Sequence, residues 1–355
     1  MYATRLLPTP EFTLAAVAAK DVPLLDRFER ALEESVLRAL AGAGDSPVAE
    51  HVCWHFGIGA EHGARRGKRL RPRLALLIAR AEGATFDQAL DVALAVELLH
   101  NYSLVHDDIE DGDELRHGRQ TVWSRFGRAH GINAGDSICA LSYLTLMRNT
   151  AGAPAERVSA MTRVLHKANL AMCAGQAYDI GFESTGAVSM DEYFKMIEGK
   201  TAVLFGAACA LGALAAGVGE ARATAYGDLG RAYGRAFQIR DDALGTWASH
   251  DETGKTGGAD IMRRKWSFPI VWALGGPPSA ARAAIAARYD RSGPLGPDDV
   301  AAIVAALDAL GARRAAQDAW CAQIAQAVRL AAIYRLDRDA EIEALLAPAP
   351  LDALG

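Results

Sequence analysis

The stretch His106-Asp107-Asp108-Ile109-Glu110-Asp111-Gly112-Asp113 follows a mostly apolar segment, Val92 to Val105, and packs five acidic residues into seven positions. On a helix, Asp107 and Asp111 are i, i+4 neighbours and Asp108 and Asp111 are i, i+3 neighbours, so three carboxylates can share one patch. Like charges that close repel unless a cation lies between them. Oxygen ligands with no His or Cys among them favour Mg²⁺, which keeps several waters and commonly bridges protein carboxylates to substrate phosphates. A solvated acidic helix end has the same composition, so the run needs support from elsewhere in the chain.

That support begins with a second acidic pair, Asp241-Asp242, again inside an apolar helical pattern, Phe237 to Gly245. Carboxylates projecting inward from two facing helices are a standard way to build a metal-filled cavity in a helical bundle. Asp241 has a plainer alternative, pairing only with Arg240 or Arg235. Gly67-Lys68-Arg69-Leu70-Arg71-Pro72 places three cations within four residues where a loop enters a helix, with Pro72 suited to the first turn. Arg binds phosphate oxygens through a bidentate fork and Lys as a point charge, so the cluster suits a diphosphate. A nucleic-acid patch would read similarly, but no aromatics are interleaved and the net charge is −5. Lys200-Thr201, Lys255 and Lys265 form a third cationic set. Thr253-Gly254-Lys255-Thr256 resembles part of a Walker A loop, but the preceding spacing and strand are missing, so it reads better as a lid carrying a lysine to a phosphate.

Helical patterning dominates the 355 residues, of which 51% are hydrophobic and 23% charged. Helices are expected over Leu24 to Ala41, Arg71 to Ala81, Phe86 to Asp111, Gly135 to Thr150, Ala155 to Phe182, Met190 to Glu198, Ala202 to Ala216, Ala221 to Trp247, Ser267 to Leu274, Pro278 to Arg288, Pro297 to Leu310 and Ala315 to Leu336. No β-hairpin signal stands out between them. Residues 1–20, with Pro8 and Pro10, read as an N-terminal arm, and 21–355 as one all-α domain with no internal linker. Five scattered cysteines lack metal or disulfide spacing, no secretory leader or 18-residue apolar span is evident, and a cytoplasmic protein without a transmembrane segment is expected.

Taken in order, these motifs resemble the trans-isoprenyl diphosphate synthases, or polyprenyl synthetases, over roughly residues 50 to 275. Asp107, Asp108 and Asp111 match the family's first aspartate-rich motif, and Asp241 and Asp242 its second. The resemblance implies an isoprenoid-synthase-type helical bundle around a central cavity, assembled as a homodimer. It implies that Lys68, Arg71 and His100 bind isopentenyl diphosphate. Arg116, His117, Lys200, Thr201, Gln238, Lys255 and Lys265 would hold an allylic diphosphate. Asp107, Asp111, Asp241 and Asp242 would hold Mg²⁺, three ions when substrate is bound. Two departures stand out. His117 replaces a second arginine, leaving His117 or Arg119 for that contact, and Gly245 replaces the last aspartate of the second motif.

The implied chemistry is ionisation of the allylic diphosphate, attack by the alkene of isopentenyl diphosphate and loss of a proton, with no protein nucleophile. His106 reads as a packing residue rather than a general base. Ser103 lies one helical turn deeper than Asp107, and Tyr102 about 7.5 Å deeper. By resemblance this pair marks a short-chain enzyme making geranylgeranyl diphosphate (C20), with farnesyl diphosphate (C15) next. A class I terpene cyclase would share the metal-triggered ionisation but has no use for Lys68, Arg71 and His100. A noncatalytic subunit of a heteromeric synthase is the other alternative, and Gly245 is its one argument.

Overall fold

The computed structural model describes residues 22–44, 46–59, 67–149, 153–248, 258–291, 295–336 and 339–346. The arm over residues 1–20 and Lys255 lie outside them. Sixteen α-helices follow in chain order among the described residues: α1 Val22–Leu40, α2 Val48–Phe56, α3 Leu70–Ala81, α4 Phe86–Glu110, α5 Val122–Phe126, α6 Arg128–Asn149, α7 Ala155–Phe182, α8 Met190–Ile197, α9 Val203–Ala215, α10 Glu220–Trp247, α11 Ala259–Met262, α12 Phe268–Leu274, α13 Ala280–Tyr289, α14 Pro297–Leu310, α15 Ala312–Ile333 and α16 Ala340–Leu346. The fold is all-α, as the periodicity predicts.

α4 is the central element. Thr85 caps it in a reciprocal box with Gln88, and its apolar residues are buried nearly all round, from Ala89 to Val105. α3, α6, α7, α9 and α10 enclose it in one apolar cluster, while α8, the C-terminal half of α10 and α12 to α15 build a second around Tyr193, Phe268, Ile270 and Trp320. The stretch Met190–Ala215 is long and apolar enough to cross a membrane by length and composition, yet 78% of its apolar window is buried inside the protein.

Three differences from the sequence reading have physical causes. α6 starts at Arg128 rather than Gly135, because Gly135 is no break: a Cβ there would sit 2.2 Å from His106 Nε2, and the glycine lets α6 press against α4. Four short helices, α2, α5, α11 and α16, lie outside the expected spans; α5 and α11, at five and four residues, are about one turn each, too little for a periodic pattern. A two-residue hairpin, unforeseen, pairs β1 Leu115–Arg116 with β2 Arg119–Gln120 across His117-Gly118. Both turn residues have positive φ, 52° and 80°, as a tight hairpin with this twist requires.

Candidate active site

One cavity of about 1470 Å³ runs through the bundle, lined from α1, α2, α3, α4, α7, α9, α10 and the hairpin. It collects both acidic motifs and every described cation of the expected site. Asp107 and Asp111 project from the last turn of α4. Lys200 Nζ lies 3.4 Å from Asp107 and 2.5 Å from Asp179, and Lys265 Nζ lies 2.8 Å from Asp111. Burial alone would raise the Asp111 carboxyl, but the Lys265 ammonium outweighs it and holds Asp111 below the usual range. Lys200, whose charge burial opposes, is kept protonated by Asp179 and Asp107.

The two remaining aspartates are turned inward. Asp108 is 2% exposed and accepts both Nε and Nη2 of Arg116 at 2.8 Å. Burial pushes its carboxyl up to about 6 against the pull of Arg116. Asp242 accepts from Tyr193 Oη at 2.7 Å, the Phe268 backbone N–H at 2.7 Å and Gln238 Nε2 at 2.8 Å, and burial lifts it to about 7. Thr201 Oγ donates to Gln238 Oε1 at 2.7 Å, so Thr201, Gln238 and Asp242 form one chain. Asp241 is exposed toward the cavity, and no ion pair ties it to Arg240 or Arg235; Arg235 bonds Glu198 and Gln323 instead.

At the other side of the cavity the basic cluster splits. All three cations line the cavity, but Arg69 is paired with Glu29 and Glu97, so Lys68 and Arg71 are the two whose charge no acid pair among the described residues takes up. Arg71 lies over the Phe205 ring at 4.3 Å and bonds His100 Nε2 at 3.2 Å. Burial, then Arg71, depress His100 far below the ordinary imidazole value, so its neutral ring accepts from Arg71. His117 and Arg119 also line the cavity, but Arg119 is held against Trp54, over its ring at 4.6 Å and donating to its carbonyl at 3.0 Å. His106 packs edge-on against Tyr102 and bonds the Ile132 carbonyl at 3.3 Å. Ser103 donates to the His100 carbonyl at 2.7 Å, and both Tyr102 and Ser103 line the cavity below the acids.

Lys200 owes its position to an uncommon backbone. Residues Glu198–Ala202 form a π-turn between α8 and α9, a form concentrated at functional sites. It rests directly on α7 at Gly175, where a Cβ would lie 2.0 Å from Lys200 N. The next residue, Gln176, donates to Asp107 at 3.0 Å and Glu110 at 2.7 Å, and Asp179 one turn on receives Lys200. Gly175-Gln176-Ala177-Tyr178-Asp179 was thus missed as part of the site, although its i, i+3 polar pair in an apolar helix was legible. Asp260 was missed too. Its Oδ2 stands 2.2 Å from where a Cβ on Gly245 would sit, filling the space that an aspartate there would enter.

The donors fit a hard divalent cation. Asp107, Glu110, Asp111 and Asp241 offer the cavity carboxylate oxygen only, and ammonium groups now balance their charge. Among the described residues no three His, Cys, Asp or Glu converge as a closed metal site; Mg²⁺ in general is held by one or two carboxylates together with water and substrate phosphates.

A family model described as polyprenyl synthetase matches residues 59–307. The chain is 37% identical over 284 residues to a (2E,6E)-farnesyl diphosphate synthase of Mycobacterium tuberculosis, covering 78% of each protein. It is 36% identical over 296 residues to a geranylgeranyl diphosphate synthase of the same organism, covering 83% of this chain and 81% of that protein. Among solved structures, geranylgeranyl pyrophosphate synthase from Corynebacterium glutamicum, complexed with isoprenyl diphosphate and magnesium, superposes with a TM-score of 0.73 at 25% identity, covering 86% of this chain and 92% of the other.

Proposed function

This chain belongs to the polyprenyl synthetase family, and from that premise we propose that it condenses isopentenyl diphosphate head-to-tail with an allylic diphosphate, in the presence of Mg²⁺, to give geranylgeranyl diphosphate, with farnesyl diphosphate next. The observation that carries this reading is the division of cations within one cavity. Lys68, Arg71 and His100 would form one anion site, and Arg116, Lys200 and Lys265, each paired with an acid of the first motif, would form another; their placement along one cavity supports this. A cyclase acting on one diphosphate has no use for the first.

In this mechanism Asp107, Asp111 and Asp241 would hold the metal, which when bound would supply positive charge against the leaving diphosphate. Asp260 places a carboxylate against Gly245, where the second motif lacks one. Arg116, Lys200 and Lys265 meet the charge that develops as the allylic C–O bond breaks, and they are fixed in advance by their acid partners. Lys68 and Arg71 orient isopentenyl diphosphate, with neutral His100 accepting from Arg71, so that its alkene faces the allylic carbocation. The proton lost after C–C bond formation passes to the departing diphosphate. Phe237, Leu204 and Met172 on the cavity wall keep water from the cation. The tail extends past Ser103 toward Tyr102, which is 7% exposed and sets the depth.

Residues 21–355 would act as one catalytic unit, in the cytoplasm. Ile132, Leu144 and Met147 on α6 and Leu170 on α7 are exposed large apolar side chains, which homodimer contact would cover. Steady-state kinetics test the division of cations: Arg71→Gln should raise KM for isopentenyl diphosphate and leave that for the allylic substrate, and Lys265→Gln should do the reverse. Equal effects of both variants on both constants would remove the two-site reading.

A further inference from the structure

Behind Tyr102, outside the cavity wall, one amide joins three helices. The Tyr102 hydroxyl of α4 donates to Asn169 Oδ1 of α7, with Cys173 Sγ 3.6 Å away. Asn169 Nδ2 donates to Tyr143 Oη of α6 at 2.8 Å and approaches Cys139 Sγ at 3.7 Å. Tyr143 in turn stacks on His166, ring centroids 4.1 Å apart and planes 9° from parallel. Tyr102 lines the cavity, whereas Asn169, Tyr143 and His166 do not. In this arrangement the amide oxygen faces the Tyr102 hydroxyl and the nitrogen faces the Tyr143 hydroxyl, so one side chain satisfies both phenols.

We infer that Asn169 is a product-length-determining positioning residue, which locks the phenol of Tyr102 across the bottom of the cavity. The inference rests on the reading of Tyr102 as the floor and adds what holds the floor in place. The ring packs edge-on against His106 at 5.7 Å and within the main apolar cluster, contacts that fix no direction for its hydroxyl. The hydrogen bond to Asn169 supplies that direction, and leaving the buried hydroxyl without an acceptor would be unfavourable in this position. Removing the Asn169 oxygen would free the ring to swing aside when a growing tail presses on it. The diphosphate sites above keep their geometry, since Asn169 touches none of their residues.

The test is the product-length distribution, by mass spectrometry, of Asn169→Leu, Asn169→Asp, Tyr143→Phe and Tyr102→Ala enzymes supplied with Mg²⁺, isopentenyl diphosphate and farnesyl diphosphate. Asn169→Leu should raise the ratio of products one C5 unit longer by about tenfold, with the rate of the first condensation unchanged. Asn169→Asp, which keeps an acceptor for Tyr102, should retain the native distribution, and Tyr143→Phe should shift it in the same direction as Asn169→Leu but less. A loss of stability with the native product ratio would reduce Asn169 to packing and overturn the inference; should Asn169→Leu not fold, the Tyr143→Phe distribution decides in the same way. Longer products from Tyr102→Ala with none from Asn169→Leu would also overturn it, leaving the floor reading intact. Native products from Tyr102→Ala would sink the floor reading and this inference together.

Discussion

Substituting Gly175 by alanine places a methyl group between α7 and the π-turn that carries Lys200. The added Cβ would lie 2.0 Å from Lys200 N, 2.5 Å from Gly199 C and 2.7 Å from Lys200 Cα, all backbone atoms that cannot rotate away. Ordinary contact begins at 3.4 Å, so the shortfall is 3.4 less 2.0, about 1.4 Å, and the two elements must separate by that much. Shared equally, the movement displaces Lys200 by about 0.7 Å relative to Asp107. Misplacements of this size cost about 10- to 100-fold in rate when the group acts on the transition state. Overpacking of a tight helix crossing adds about 1–3 kcal/mol of destabilisation. The expected result is therefore a Gly175→Ala enzyme with kcat reduced about 10- to 100-fold, KM for isopentenyl diphosphate unchanged, and a Tm lower by a few degrees. The assay is diphosphate release under saturating substrates beside a thermal melt. A variant within about twofold of the native kcat and with a native melt would refute the claim that the glycine contact positions Lys200.

Two further predictions concern charge. Burial, followed by Arg116 and Arg69, depresses His55 to about 4 despite its 2.9 Å bond to Asn101, so the unfolded chain takes up this proton first as pH falls below 6.5. Stability is thus fully present above 6.5 and is lost between 6.5 and 4, by up to about 3 kcal/mol, and melts of His55→Gln should show a smaller drop from pH 7 to pH 5 than the native protein; parallel curves would contradict this. Gly245→Asp would drive a second carboxylate into the space of Asp260, so its melt in chelator should fall below native and recover more than native on adding Mg²⁺, whereas identical melts under both conditions would show that Asp260 does not crowd that position.

The sequence made the long helices legible because each buries an apolar stripe over several turns: Ala155–Phe182 and Pro297–Leu310 match the expected bounds residue for residue. The acidic motifs and the cationic clusters at residues 68–71, at Lys200 and at Lys265 were legible for a different reason, since charge clustered beside apolar helices has few uses, whereas His100 entered through the family resemblance alone. What could not be read is what the tertiary fold decides. Arg69 looks identical to its neighbours until Glu29 and Glu97 close on it from two other helices. Asp108 and Asp111 share a motif, yet one faces inward to Arg116 and the other outward to Lys265. The π-turn at Lys200 has no periodic signature, and the hairpin at His117-Gly118 is two residues long on each side. Asn169 and Asp260 matter through what lies across from them, which no local pattern encodes.

The central claim is that two diphosphates meet in one cavity and leave joined. Purified protein given Mg²⁺ and each allylic diphosphate in turn, with and without isopentenyl diphosphate, tests it by the mass of the product. Prenyl diphosphates lengthened in five-carbon steps are expected, with geranylgeranyl diphosphate dominant, and only when isopentenyl diphosphate is present. A hydrocarbon or alcohol released from the allylic diphosphate alone would contradict it.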